Sequence, residues 1–295
     1  MPGWQREFPV LAAVVRHLGA PLPSLDLEQV WTCIEYHAKL GGLLPSDPQW
    51  GPEATRDLKR VLLRFYGAEC DSLAAGLPQS HDYTLGKLLG SELLAGDVIV
   101  SFNWDTLVER LALAFHQPLV PPAGADTPGS IPLAKPHGSV TWRINWITKK
   151  VEWLSPAGGL ATDAMDVGRV GIMQEPLLLG VVPAKSELIR EIQWASFPGI
   201  WEVVTAQWKL MTQAVRRATV LVVVGYGFPE DDTYGRFLFR EAMKLRSGDL
   251  PSVQLYELAE RAQETASALR DALGCPELQV EWKGPVTPAP LTSNS

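Results

Sequence analysis

Three short segments of this chain carry residue types that could do chemistry together. Asn103 and Asp105 stand two residues apart, where the apolar run Val98-Ile99-Val100 gives way to Ser101-Phe102-Asn103-Trp104-Asp105. His137 stands beside Gly138 in Lys135-Pro136-His137-Gly138-Ser139. Val220-Leu221-Val222-Val223-Val224 runs into Gly225-Tyr226-Gly227-Phe228-Pro229. An amide offers a fixed donor and acceptor. An imidazole, with an ordinary pKa of about 6.5, can take or give a proton near neutrality. Glycines let a backbone come close to a ligand. A polar strand end, a loop histidine and a strand–glycine–helix unit together point to a nucleotide pocket, because ligands of open α/β sheets bind at the carboxyl ends of the strands.

Each segment also has a plainer reading. Asp105 can cap the helix that follows, and Thr106 with Glu109 has capping-box spacing. His137 can be a turn or core histidine. Gly225-x-Gly227 lacks the third glycine of a dinucleotide fingerprint. Pro229, Glu230, Asp231 and Asp232 suit the first turn of a helix over Glu230–Leu245, where carboxylates complement the dipole.

The elements that must position these residues follow from periodicity. Residues 4–95 read as a mainly helical block, with amphipathic stretches at Phe8–Leu18, Leu27–Leu40 and Pro52–Tyr66. Tyr83–Leu94 delivers the chain to the strand at Val98. Leu107, Leu111 and Ala114 then recur at helical spacing. Residues 140–218 read as an inserted module. It opens with a hairpin of Thr141–Trp146 and Val151–Leu154, continues through a glycine-rich stretch at Gly158–Gly171, and reaches a buried strand at Leu177–Val182. A helix from Ile200 to Arg217 follows, with Trp201 and Trp208 seven residues apart on a packing face. Val220–Val224 reads as a fully buried strand. Val253–Tyr256, Ala259–Leu273 and Leu278–Trp282 continue the strand–helix alternation. The whole is an α/β chain with a Rossmann-like, doubly wound parallel sheet of strands at Val98, Leu177, Val220 and Val253. Residues 1–283 form that domain, and 284–295 read as a disordered tail.

The motif order of strand–SFNxD–helix, (K)xHGS turn, then strand–GYxxP–helix resembles the sirtuin-like superfamily over roughly residues 90 to 285. It is closest to the bacterial branch of anti-phage NAD-hydrolysing proteins. Phe102 stands where protein deacylases carry glutamine, a replacement familiar in the hydrolase branch. The resemblance implies cleavage of the nicotinamide–ribose bond of NAD to nicotinamide and ADP-ribose. It makes Asn103 and His137 the catalytic pair, with Asn103 holding ribose hydroxyls or a water and His137 accepting a proton. It places Ser101, Phe102, Asp105, Gly138, Ser139, Gly225, Tyr226, Gly227, Phe228 and Asp232 around the cofactor, with Asp105 accepting from the carboxamide. NAD is then a substrate, and the protein a cytoplasmic enzyme with a homo-oligomeric or defence-system partner. The alternative is a non-catalytic module that binds NAD or ADP-ribose, with a protein deacylase less favoured. At strand-end and loop positions, removal of Asn103 or His137 is expected to cost little packing.

The chain departs from the family pattern in three places. Gly227 replaces a usual serine, and Pro136 precedes the histidine. Above all, no strand with a Gly-Ala-Gly-x-Ser phosphate turn precedes Asn103. That last departure implies an open apolar edge beside the Val98 strand. It also implies that Met1 lies downstream of the natural start or that the chain is a natural truncation.

Composition bounds the alternatives. The chain has 295 residues, 46% hydrophobic and 20% charged, with a net charge of −7. No basic patch marks it for direct nucleic-acid contact. Three cysteines, Cys33, Cys70 and Cys275, are too few and too scattered for a disulfide framework and suit a reducing cytoplasm. No cysteine lies between Cys70 and Cys275, so the four-cysteine zinc module of deacylases is missing, and the five histidines show no metal-ligand spacing. No metal is expected, and little NAD-dependent release of acyl groups. No apolar run reaches the roughly 18 residues of a membrane helix.

Overall fold

The computed structural model describes residues 84–115, 119–120, 130–145, 150–153, 174–178, 198–230 and 232–286, with scattered positions between 12 and 62, all of these helical. Most of the expected N-terminal helical block, the stretch 158–171 and residues 287–295 lie outside the described residues. Among those described, no helix is long and apolar enough to cross a membrane.

Helix α1 (Thr84–Lys87) runs into a π-helical turn, Leu88–Glu92. There follow β1 (Ile99–Val100), α2 (Leu107–Ala114), β2 (Leu119–Val120) and β3 (Ile131–Ala134). Next come β4 (Gly138–Asn145), β5 (Lys150–Trp153), β6 (Gln174–Leu178) and the long α3 (Pro198–Arg217). The chain then alternates through β7 (Val220–Val224), α4 (Thr233–Lys244), β8 (Ser252–Tyr256), α5 (Ala262–Leu273) and β9 (Val280–Gly284). The protein is thus α/β, with parallel sheets.

Among the described residues, nine strands form three sheets of three. β1-β3-β2 is parallel, with Ile99 opposite Leu133 and Leu119 opposite Ile131. β7-β8-β9 is also parallel, with Val223 opposite Leu255, as the helical crossovers α4 and α5 require. β5-β4-β6 is antiparallel; its hairpin places Trp142 opposite Trp153, the aromatic cross-strand pairing expected from the sequence.

Two expectations are corrected here. Of the strand expected at Leu177–Val182 in the parallel sheet, the described part, Leu177 and Leu178, belongs to β6 and is antiparallel to β4, while residues 179–182 lie outside the described residues. Pro176 explains part of this: it lacks an N–H for a central ladder, and β6 is an edge strand beside a register shift in β4. The second correction concerns β7. Leu221 and Val223 pack with Val253 against Phe239, Ala242 and Met243 of α4 and Leu269, Ala272 and Leu273 of α5. Both crossover helices lie against these residues, so the alternate side chains Val220 and Val222 are each 44% exposed, and β7 is not fully buried.

α3 joins two cores along one stripe. Ile200, Val204 and Trp208 pack with Trp142 and Ile144 of β4. Met211 and Val215, further along, pack with Ala134 and the α4/α5 cluster. Gly284, read from the sequence as part of the tail, ends β9, and the following Pro285 carbonyl accepts from Thr84 Oγ1 at 3.5 Å.

The sidedness of the β7-β8-β9 sheet gives a direct test. Leu255→Ala, at a buried site of β8, should cost about 2–5 kcal/mol in urea unfolding. Val222→Thr should stay within about 0.5 kcal/mol. Equal losses would contradict the assignment of faces.

Candidate functional site

The turn after β3 is built around a buried charge. Lys135 has 0% exposure. Its ammonium donates to Glu109 Oε1 at 2.8 Å, to the Asp105 carbonyl and, at 3.4 Å, to Ser139 Oγ. Its backbone N–H donates to Gln207 Oε1 at 2.8 Å. A buried ammonium is tolerable only when paired and hydrogen-bonded in this way. Glu109 is therefore the counter-ion of Lys135 rather than part of a capping box, and Thr106 makes no side-chain cap. Asp105 does cap locally, its Oδ1 accepting from the Leu107 N–H at 2.9 Å.

Two indoles complete the turn. Trp104 Nε1 donates to the His137 carbonyl at 2.9 Å, and Trp208 Nε1 donates to the Pro136 carbonyl at 3.1 Å. The Gly138 N–H closes back on the Lys135 carbonyl at 2.9 Å with φ +85°, a conformation that favours glycine. The Ser101 N–H bonds the Ala134 carbonyl at 2.9 Å, locking the loop after β1 to the end of β3.

So held, His137 is 4% exposed, and its Nε2 lies 3.1 Å from Asp232 Oδ2. Asp232 is 1% exposed and precedes α4, which begins at Thr233 rather than Glu230. Its Oδ1 accepts from the Gly235 N–H at 3.2 Å, and its Oδ2 also accepts from the Tyr226 hydroxyl at 3.0 Å. An ionised carboxylate can only accept, so with Asp232 ionised it is His137 Nε2 that donates in this pair. Gly235 makes the arrangement possible: a Cβ there would lie 2.5 Å from Asp232 Oδ2. Phe102 stacks on Tyr226 at 4.2 Å and 10°, and meets the His137 ring edge-on at 5.2 Å.

The structure thus brings Phe102, His137, Tyr226 and Asp232 together. Phe228 joins them at 4.6 Å from Tyr226, buried and at φ +50°, a strained backbone for a bulky residue. Gly225 has φ +60°, and its N–H donates to the Tyr256 carbonyl at 3.1 Å. At Gly227 the space a side chain would need is taken by Arg261 Nη2, 3.1 Å from an added Cβ. Ser139 is buried, its hydroxyl 3.0 Å from Thr141 Oγ1. Asn103 is exposed, and no hydrogen bond joins it to His137. His137, by contrast, is not the removable loop residue expected from sequence. Its loss would leave the buried Asp232 carboxylate without its imidazole. Cys275 is buried among the core, and burial together with Glu277 pushes its thiol pKa up, which does not suit a nucleophile.

Sequence reading missed Lys135 with Glu109, the two indole donors, Gln207 and Gly235. The one signal present was a lysine directly after the apolar strand Ile131–Ala134, a position where it had to find a partner. No family model matches the chain, and no curated protein matches it.

The Lys135 pair predicts a large, specific stability loss. Lys135→Met should cost about 3–5 kcal/mol in chemical unfolding, because it strands the Glu109 carboxylate. Adding Glu109→Leu should recover much of that loss. A single variant as stable as the parent would contradict the network.

Proposed function

We propose that this chain is a sirtuin-like NAD hydrolase, in which Asp232 orients His137 as a general base and Asn103 holds the ribose or the attacking water. The observation that carries this reading is the buried His137–Asp232 pair, formed at the carboxyl-end loops of two parallel sheets. Open α/β sheets bind ligands at such ends. The Phe102–Tyr226 stack, linking the residue after Ser101 at the end of β1 to the residue after Gly225 at the end of β7, supports a finer reading of the fold. The two parallel sheets are halves of one Rossmann-like, doubly wound arrangement.

In this mechanism the bond between ribose C1′ and the nicotinamide nitrogen breaks. Nicotinamide leaves neutral with the bonding pair, and an oxocarbenium-like centre remains. Water adds to C1′, and its proton passes to the basic nitrogen of His137. The Asp232 carboxylate stabilises the imidazolium that results. Ser101, Phe102, Asp105, Gly138, Ser139, Gly225, Tyr226, Gly227 and Phe228 form the surrounding walls and turns. A cytoplasmic role in anti-phage defence, as a homo-oligomer or with a partner protein, belongs to the same proposal. The burial of His137 favours one second reading, a module that binds NAD or ADP-ribose without turning it over.

Purified protein with NAD, followed for nicotinamide and ADP-ribose, decides between them. Asn103→Ala is the cleanest variant because the side chain is exposed. It should lower hydrolysis by at least about 100-fold while unfolding within about 0.5 kcal/mol of the parent. Acetyl-lysine peptides should release little acetate. Full activity in Asn103→Ala, or deacylation outpacing hydrolysis, would overturn the proposal; NAD binding without product would establish the module.

A further inference from the structure

β4 carries a second buried charge, and this one has no counter-ion among the described residues. Arg143 is 4% exposed, and burial lowers its pKa. Its Nη2 is buried and has no hydrogen-bond partner. A guanidinium cannot shed its proton to escape such a site, so the cost of desolvating it stands until an anion arrives. Glu152 lies directly opposite in the β4–β5 register, yet it is exposed and accepts from Asn145 Nδ2 at 2.8 Å instead.

The hydroxyls on the same strand point to the same conclusion. Ser139 Oγ accepts from Lys135 Nζ and from the Thr141 N–H, both at 3.4 Å. Its own proton is then left for Thr141 Oγ1, 3.0 Å away. That direction leaves the Thr141 hydroxyl proton unspent. Trp142 and Ile144 pack toward α3, so Arg143 projects from the opposite face of the strand, as residues of alternate position do. The unspent groups along this part of β4 are therefore donors: Arg143 Nη2 and the Thr141 hydroxyl.

We propose that Arg143, with Thr141, forms a binding site for a small oxyanion, the phosphate or carboxylate group of a ligand. The planar fork of arginine suits bidentate contact with either group. The site is separate from the His137–Asp232 pair. Five residue steps from Gly138 to Arg143, at about 3.3 Å each, place it roughly 16 Å along the strand. It does not depend on the NAD reading.

The test measures thermal unfolding of the full chain in chloride buffer, titrated at constant ionic strength with sodium phosphate or with sodium acetate. A hundredfold excess over Kd should raise the parent's Tm by about 4 °C. Response to phosphate alone identifies a phosphate-bearing ligand, and response to acetate alone a carboxylate. Arg143→Met should abolish the shift and, in chloride alone, melt no lower than the parent. Thr141→Val should weaken binding several-fold. A variant carrying Arg216→Gln and Arg217→Gln, in the arginine-lined concavity of about 680 Å³ at the far end of α3, should respond like the parent. Should Arg143→Met fail to fold, the Nε–Hε resonance of Arg143 in the parent, assigned by its absence in Arg143→Lys, should move saturably with the anion. The proposal falls if neither anion gives a saturable response, if the shift survives in Arg143→Met, or if Glu152→Gln in chloride destabilises the parent markedly, which would make Glu152 the partner in solution.

Discussion

Burying one lysine ammonium constrains the rest of this site. Lys135 follows a strand whose apolar residues belong in the core, so its charge enters with them and has to be met there. Glu109 from α2, the Asp105 carbonyl from the loop after β1 and Ser139 from β4 meet it. Gln207 from α3 takes the adjacent backbone N–H. Four segments of chain are thereby fixed around one nitrogen and its peptide. The cost of leaving any partner unsatisfied in a low-dielectric interior makes the arrangement close to all-or-none.

The position of His137 is a consequence. Two residues past Lys135, its carbonyl is held by Trp104 and its ring by Asp232. Asp232 answers two demands with one carboxylate. One oxygen satisfies the first turn of α4, and the other is shared by His137 and the Tyr226 hydroxyl. The strained Phe228 backbone, packed between Tyr226 and Phe239, sets the path from β7 into that cap. Asp232, read from sequence as a first-turn carboxylate, is the N-cap of α4 and at the same time the partner of His137.

Local pattern made much of the fold legible. The β-branched run at 220–224, the helix before Gly274 and the tryptophan-rich hairpin all appear close to where periodicity places them. Gly274 itself ends α5 in the left-handed conformation expected of a C-terminal glycine. What the pattern could not carry is pairing between distant residues. Nothing local links Lys135 to Glu109 across 26 positions, or His137 to Asp232 across 95. The same limit applies to β6, since an apolar segment reads alike in a parallel or an antiparallel neighbour, and to β7, whose burial depends on which face the crossover helices take. His137 is legible from sequence as a loop histidine beside a glycine, whereas Phe102, Tyr226 and Asp232 enter the site only through the family resemblance, because no local pattern links them to one another.

The most direct measurement of the central claim, that Asp232 fixes the state of His137, is the nitrogen-15 imidazole spectrum of the parent and of Asp232→Asn in mildly alkaline buffer. The parent should show His137 protonated at Nε2 and not at Nδ1. In Asp232→Asn, whose amide can donate as well as accept, that single tautomer should give way to the other or to a mixture. A parent ring protonated at Nδ1 alone, or a spectrum unchanged by the substitution, would contradict the account.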